Sequence, residues 1–568
     1  MKFLTDYEKK YRYGFFVHYV AGKAVYKDGS SPADIQEAAD RFDVPGFVRD
    51  IVDMRVDYLI FTAWHFRMIP LYPSAVTEAI RPGCSCRRDL IGEIVDGLKK
   101  TGVGVILYTH PRDGHDFVGA ERTDCGWGEG CLRDGEREYK DEPNPDTFDY
   151  QKWNAYVQAL YKELIDRYGD RIDGIYTDSN GPCYRKSDWP DYERPIVDYL
   201  GIRRTVKADP RRVLVQNGIG CEFTDDFVMP EGYFGFERVL PVRQWPACRK
   251  ALAASPFFNG QWGVSGQYGK DWRRLSPEDA ALFTVFQSTC TEGGGMCWAS
   301  SPYCGGGWDV GVTETMREIG RHMSRLAGCI RDTVPSRSWP TVSGDTLESK
   351  NGVFAASSAD RAREFIHVAS FPAHGTVTLP APEDHVRLIN PRVMTGDMVV
   401  RSFEQDGSGV RITLDGTPDE IDTVISFERI NDPLAPAWTW INCTDKRLRY
   451  LPVENWRYHT LSGWGGDDDR QTLGAYEYDA RKSLAASARM DTWIEGSEVD
   501  IYGSVGPEGG EADLVIDDLP VLTLSCRAGA PKNRVLLGSS GELFGGIHTV
   551  TLVSRGKGFA FEAMRVRR

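Results

Sequence analysis

No stretch of this 568-residue chain approaches the ~20 consecutive apolar residues that a membrane-spanning helix requires. No apolar segment follows the start either: Met1-Lys2-Phe3-Leu4-Thr5-Asp6 runs directly into Tyr7-Glu8-Lys9-Lys10. Without a secretory h-region, the expectation is a cytoplasmic protein. Basic charge is not in excess, since 68 Lys and Arg stand against 82 Asp and Glu for a net charge of −14, with both signs mixed throughout. That balance argues against nucleic acid and against an anionic membrane surface as partners. The 13 cysteines are odd in number and scattered, many in apolar contexts such as Cys290, Cys297 and Cys443. Cys84-Ser85-Cys86 and Cys125 with Cys131 lack partner ligands at zinc-site spacing. Reduced thiols are therefore expected, with no metal site and no cofactor. Internal repeats and low-complexity tracts are also absent.

What is present is a hydrophobic fraction of 41%, enough for substantial cores, and an aromatic set that includes 15 Trp and 25 Tyr. Such rings stack well on sugar faces, although cores use them too. Length alone suggests three or four domains of ~150 residues, or fewer if one is a barrel.

The first 330 or so residues alternate between strand and helix patterns. Tyr13 to Tyr19 is an apolar aromatic run that passes through His18, and Tyr58 to Ala63 is a second strand leading into Trp64-His65-Phe66-Arg67. Leu90, Ile91, Ile94, Val95 and Leu98 share a helix face, and Val103 to Tyr108 is a third strand ending in Thr109-His110. After a Gly-rich loop and a helix over 150–168, Gly174 to Thr177 is a fourth strand tipped by Asp178. Val213 to Asn217 is the fifth, 232–236 ending in Glu237 is expected as the sixth, 257–262 ending in Trp262 as the seventh, and Met296 to Ala299 with Trp298 as the eighth. Near-continuous apolar strands alternating with helices mean a parallel sheet covered on both faces. Eight such units suit a (β/α)8 TIM-like barrel over residues 1–338. From about residue 339 the helix pattern stops and short alternating strands follow, giving an antiparallel β-sandwich over 339–432. A Pro-rich linker, Asn431-Asp432-Pro433-Leu434-Ala435-Pro436, opens a second all-β domain over 433–568.

In a parallel barrel, side chains at the C-terminal strand tips point into the active-site mouth. Here the tips would carry His18, His65, His110, Asp178, Asn217, Glu237, Trp262 and Trp298. Sugar chemistry needs two carboxylates flanking the scissile bond. Asp178 is placed for one, and Glu231, Glu237 and, behind them, Glu222 are candidates for the other. A strand-end Asp can also simply cap a turn. Three imidazoles and Asp178 would equally describe a metal-dependent hydrolase or isomerase barrel, although each strand offers a single His rather than the His-x-His pair such sites use.

Several segments resemble family 29 α-L-fucosidases. Tyr13-Gly14-Phe15-Phe16-Val17-His18-Tyr19 is similar to that family's opening Phe-Gly-Ile-Phe-Ile-His-Trp-Gly, and 58–69 to its second strand with the tip Lys-His-His-Asp-Gly-Phe. Arg88-Asp89-Leu90-Ile91-Gly92-Glu93 resembles its Arg-Asp-Leu-Val-Gly-Glu, and Leu107-Tyr108-Thr109 its third strand. Gly174-Ile175-Tyr176-Thr177-Asp178 resembles its Ile-Trp-Phe-Asp-Gly, 226–231 its Asp-Phe-x-Thr-Pro-Glu, and Gln261-Trp262-Gly263 its Ser-Trp-Gly-Tyr. The resemblance implies a retaining exo-glycoside hydrolase that releases a terminal fucose or related sugar, modified or anionic, from oligosaccharides or glycoconjugates. Asp178 would be the nucleophile, Glu231 or else Glu237 the acid/base, His18 and His65 hydroxyl-binding groups, and Trp262 a pocket wall. Tyr108, His110, Asn217 and Trp298 complete the expected substrate-binding set. The chain departs from the pattern where the paired His is His65-Phe66, the following Asp-Gly is Arg67-Met68, and the Trp after the first His is Tyr19. Trp64 and Arg67 are therefore expected to reshape the subsite, with Arg67 pairing either with an anionic sugar or with a neighbouring carboxylate. A catalytically degenerate sugar-binding protein is the further alternative. The last segment resembles a jelly-roll, carbohydrate-binding-like module, through Val499-Asp500-Ile501-Tyr502-Gly503, 509–517 and Gly546-Ile547-His548-Thr549-Val550. Trp456 and Trp464-Gly465-Gly466-Asp467 there would form either a sugar platform or sandwich-edge packing. A homo-oligomer is compatible with all of this.

Overall fold

The computed structural model describes residues 11–19, 24–134, 137–139, 142–178, 196–217, 226–229, 253–254, 263–264, 276–290, 295–339, 352–430, 438–443, 445, 447–452, 455–460 and 479–567. The chain divides into two compact units, the first within Met1–Ala327 and the second carrying Gly328–Arg568. Among the described residues no helix is long and apolar enough to cross a membrane.

Among the described residues, eight parallel strands form the main sheet of the first unit: β1 (Tyr13–Val17), β2 (Tyr58–Trp64), β3 (Gly104–Thr109), β4 (Gly174–Thr177), β5 (Val213–Asn217), β6 (Phe227–Met229), β7 (Ala253–Ala254) and β8 (Gly295–Ser300). The ladder runs β6-β5-β4-β3-β2-β1-β8-β7, the strand order of a singly wound (β/α)8 barrel. Gly174 lets β4 lie against β5, because a Cβ there would stand 2.3 Å from Val213 O. The expected sixth and seventh strands, 232–236 and 257–262, lie outside the described residues. The ladder positions beside β5 and β8 are taken instead by β6 and β7, which come earlier in the chain.

Between the strands run α1 (Val44–Asp53), α2 (Leu90–Leu98), α3 (Tyr150–Tyr168), α4 (Tyr199–Val206) and α5 (Pro277–Cys290), and α6 (Val312–Arg325) follows β8. The first four start in the same way. Asp43, Asp89, Asp149 and Asp198 each accept a hydrogen bond from a backbone N–H in the first turn. The carboxylate satisfies an orphan donor and complements the positive end of the helix dipole.

Strand pleating decides what fills the barrel. Phe16, Tyr58, Ile60, Ile106, Tyr108, Tyr176, Val213, Val215, Met229, Cys297 and Ala299, with Tyr11, form one buried cluster in its interior. Two residues beyond Phe16, Tyr108 and Tyr176, the same pleat brings His18, His110 and Asp178 to the mouth.

The second unit contains two antiparallel β-sandwiches. In one, a five-stranded sheet (Thr333–Pro335, Val353–Ser358, Arg363–Val368, Thr423–Ile430, Arg387–Val393) and a three-stranded sheet (Thr376–Leu379, Gly409–Asp415, Val399–Asp406) share a core that includes Ile366, Ile412 and Ile425. In the other, six- and five-stranded sheets within 438–567 enclose a core that includes Val499, Leu514 and Leu552. Trp456 belongs to that core and donates Nε1–H to Arg489 O at 3.2 Å. It is a packing residue rather than an exposed sugar platform, and 464–467 lies outside the described residues.

Candidate active site

The tip of β2 breaks the pleat. Tyr58, Ile60 and Thr62 follow the inward alternation, so Trp64 would come next. The pairing with β3 instead shifts register between Thr62 and Trp64, so that Thr62 faces Tyr108 but Trp64 faces Thr109. A bulge at Ala63 inserts one residue and reverses the facing of everything after it. Trp64 turns outward and packs edge-on against Tyr161 of α3, ring centroids 5.3 Å apart. His65 turns inward.

His65 lands among the other tips. Its ring lies 5.0 Å from that of His18 and stacks on His110 at 4.6 Å with an 8° interplanar angle. Tyr108 packs edge-on to His18 at 5.5 Å and donates its hydroxyl to Asp178 Oδ2. Asp178 is 8% exposed, and its backbone N–H donates to Thr109 O at 2.8 Å, which fixes the tip of β4 against β3. One nitrogen from each of His65 and His110 and one carboxylate oxygen of Asp178 lie within 4.8 Å of each other.

A residue outside the expected set ties this group together. Asp113 opens a 3-10 turn, Asp113–Asp116, just past the tip of β3. Its Oδ2 lies 2.6 Å from His65 Nδ1 and its Oδ1 2.9 Å from His110 Nδ1. Burial opposes its charge, yet the His110 and His65 imidazoles outweigh burial and hold the carboxyl well below the usual carboxylate range. Burial likewise disfavours a charged His65, but Asp113, with Asp178 and Asp116 beyond it, raises that imidazole's pKa. His18, pressed by burial and by the neighbouring His65 and His110, is held well below its ordinary value and is neutral at pH 7. The sequence signal for Asp113 was only its position, three residues after His110 in a loop rich in turn formers.

The remaining expected residues divide. Trp298 is not at the mouth: it alternates with inward Cys297 and Ala299, and its Nε1–H donates to Thr284 Oγ1 of α5 at 2.9 Å. Trp64 and Trp298 therefore belong to the layer between sheet and helices. Trp298→Phe is expected to lower thermal stability by roughly 1–3 kcal/mol, through the lost hydrogen bond and unfilled volume, while leaving KM for a glycoside within error. A large rise in KM with unchanged melting would return Trp298 to the pocket. Arg67 sits in a left-handed backbone conformation (φ 55) and donates to Glu121 at 2.9 and 3.2 Å, with Arg81 Nε on the same carboxylate at 3.0 Å. Of the two roles expected for Arg67, the carboxylate pair is the one formed. Asn217 ends β5, its side chain outside the described residues, and Glu231, Glu237 and Trp262 lie outside them altogether.

The sequence profile of the α-L-fucosidase family matches residues 7–327, more than half of the chain. The chain belongs to the α-L-fucosidase family. As a member it is a glycoside hydrolase, and its substrate is an oligosaccharide or glycoconjugate. The solved structures it resembles agree in fold. α-L-Fucosidase isoenzyme 1 from Paenibacillus thiaminolyticus superposes with a TM-score of 0.51 at 16% identity, over 75% of this chain and 99% of that one. The α-L-fucosidase from Vibrio sp. strain EJY3 gives 0.50 at 15%, over 100% of this chain and 98% of that one. A Bacteroides thetaiotaomicron family 29 α-L-fucosidase, trapped as a covalent intermediate with 2-fluoro-fucosyl fluoride, gives 0.50 at 14%, over 75% and 95%. A search of curated proteins finds no match. Against the family motif, the glycine of the second-strand tip corresponds here to Met68, at φ 44. That left-handed conformation costs a side-chain-bearing residue roughly 1–2 kcal/mol. Met68 is fully buried, which offsets it.

Proposed function

We propose that this α-L-fucosidase-family hydrolase is a retaining, exo-acting enzyme that removes a terminal α-L-fucose, or a sugar closely related to it, by double displacement. The observation that carries the reading is Asp178: a carboxylate at the β4 tip, with Tyr108 on one oxygen and the His65 and His110 rings beside it. The Tyr108 hydroxyl fixes the carboxylate's rotation. Attack by a carboxylate oxygen of Asp178 on the anomeric carbon forms the glycosyl ester as the glycosidic C–O bond breaks. A second carboxyl gives its proton to the leaving oxygen, then takes one from the water that hydrolyses the ester and frees Asp178. Glu231 is the residue we assign to this role, because it follows the last residue of β6, Met229, by only two positions, whereas Glu237 is eight beyond it. The covalent intermediate trapped in the Bacteroides relative is consistent with the same course. Because Arg67 is engaged by Glu121, an uncharged sugar is favoured over an anionic one.

One observation favours a second reading. His65, His110 and Asp178 could together hold a metal ion, and imidazoles backed by a carboxylate are common around metals. A panel of aryl glycosides and fucosylated oligosaccharides, followed by NMR of the first-formed anomer, separates the two. We expect L-fucose released as the α-anomer, at a rate unchanged by EDTA. Release of the β-anomer would overturn the retaining mechanism. Loss of activity in EDTA, restored by a divalent ion, would favour the metal reading.

A further inference from the structure

The stacked imidazoles of His65 and His110 come from the tips of two different strands, and a strand tip alone does not fix how a ring is turned. One carboxylate fixes both. Asp113 gives one oxygen to each Nδ1, at 2.6 and 2.9 Å, and its side chain is 2% exposed. An ionised carboxylate only accepts, so His65 donates its Nδ1–H to Asp113, and at His110, whose Nδ1 stands at ion-pair distance, a ring lone pair facing the carboxylate would be repelled and Nδ1–H is favoured. In each neutral ring the proton then sits on Nδ1, and Nε2, on the edge away from Asp113, has acceptor character. With the rings 4.6 Å apart and 8° from parallel, the pair offers two aligned acceptors. These suit hydroxyls on adjacent sugar carbons, each donating over about 2.8 Å. In the family motif the two imidazoles are sequence neighbours. Here position 66 is Phe, and the partner ring arrives from β3, so a brace from outside both strands has a task.

We propose that Asp113 is a positioning residue of this hydrolase, which sets the tautomer and parallel alignment of His65 and His110 and so governs recognition of two neighbouring sugar hydroxyls. It rests on the reading of this pocket as a sugar site, and Asp113 itself touches no substrate atom. The titratable groups around it are His65 from β2, His110 from β3, and His115 and Asp116 from its own turn. His115 Nδ1 is 4.0 Å from Asp113 Oδ1, and His115 Nε2 is 3.3 Å from Asp116 Oδ1. Beyond the rings stand His18 from β1, Tyr108 from β3 and Asp178 past β4. Without the Asp113 charge, the His65 imidazole gives up its proton at lower pH.

The test is Asp113→Asn in the full chain. The amide keeps the shape but offers one acceptor oxygen and one NH2. The ring that meets the NH2 must present a bare Nδ1, which turns its Nε2 into a donor. Histidine 15N shifts, assigned with His65→Gln and His110→Gln, should show Nδ1–H at both rings in the native chain and Nε2–H at one ring in the variant. Affinity for a fucose-configured iminocyclitol should weaken by about 30-fold, as should KM, with kcat falling by less than about 5-fold. The imidazole limb of the kcat/KM profile should move to lower pH. On a His65→Gln/His110→Gln background, Asp113→Asn should cost less than about 2-fold more, because it acts through those rings. An Nε2–H tautomer at either ring of the native chain would overturn the positioning role. So would native affinity and pH profile in Asp113→Asn, or full additivity with the imidazole changes. An iminocyclitol that fails to bind the native chain would overturn the link to sugar recognition. Failure of the hydrolase reading shows separately, as native protein that binds the iminocyclitol but releases no sugar.

Discussion

Asp178→Gly is expected to lower kcat on an aryl α-L-fucoside by at least about 10⁴-fold, equivalent to roughly 5 kcal/mol of transition-state stabilisation. The cause is specific. The variant removes the atom that would form the bond to the anomeric carbon and leaves the rings of His18, His65 and His110 in place. Binding of an iminocyclitol should therefore weaken far less than turnover, and the melting temperature should stay near native. The opened space also admits a small anion, so azide should restore part of the rate and release a β-glycosyl azide, the product of direct displacement from the opposite face. Tyr108→Phe serves as the contrast. It loses the hydroxyl that holds Asp178 Oδ2 but keeps the nucleophile, so a smaller loss, about 10- to 100-fold, is expected. Turnover by Asp178→Gly at the native rate, without azide, would remove Asp178 from the nucleophile role.

The largest effect on stability is expected outside the barrel unit, in the first sandwich of the second unit. There Glu364 is fully buried, accepts from Ser357 Oγ at 2.7 Å and from Ser336, and faces Arg429 Nη1 at 2.8 Å. Arg429 also holds Asp384. One guanidinium thus serves two carboxylates. Burial pushes the Glu364 carboxyl up from 4.5 to about 7, with Arg429 opposing the rise only in part. Arg429→Met should destabilise this sandwich by roughly 3–5 kcal/mol, since breaking a buried pair strands its partner. The pH dependence follows from the raised pKa. A carboxyl whose pKa is higher folded than unfolded contributes its full stability below the unfolded value, and that contribution is lost as pH rises through the folded value. The native sandwich should therefore weaken between about pH 4.5 and 7. The Arg429→Met deficit should be larger at pH 7.5 than at pH 5, and Glu364→Gln on the variant background should recover part of it. Calorimetric melting at the two pH values reads this directly. Equal melting temperatures for native and Arg429→Met at pH 7.5 would refute it.

The barrel was legible because its central strands are long, apolar and bounded by clear helix patterns, as in Tyr58–Trp64 and Gly104–Thr109. The sandwiches were legible because their strands alternate, as in Gly409–Asp415. The strands beside β5 and β8 were not. Phe227–Met229 and Ala253–Ala254 are three and two residues long, too short for periodicity to register, and the more aromatic runs downstream looked like better strands. At the mouth, position at a strand tip grouped His18, His65, His110 and Asp178, which the fold brings together. It could not place Trp64, because a bulge leaves no mark on an alternation pattern, and it misplaced Trp298, because a tip residue's side was judged without its neighbours Cys297 and Ala299. Asp113 escaped notice because its role depends on two rings brought together only by folding. The missing second imidazole at Phe66 was plain in the sequence. That His110 stands stacked on His65 in its stead required the fold.

The bulge at Ala63 also bears on how such a pocket diversifies. It works as a phase shifter between two halves of one strand. Upstream, Tyr58 and Ile60 remain locked to the interior stack, where any change of volume is felt by every neighbouring strand. Downstream, His65, Phe66 and Arg67 are released from that register, between Trp64 and Met68, which stay buried. Substitutions can accumulate in this short stretch without disturbing the barrel that carries it. It is in this stretch that the chain parts from its family's motif, while the strand beneath keeps the family's form.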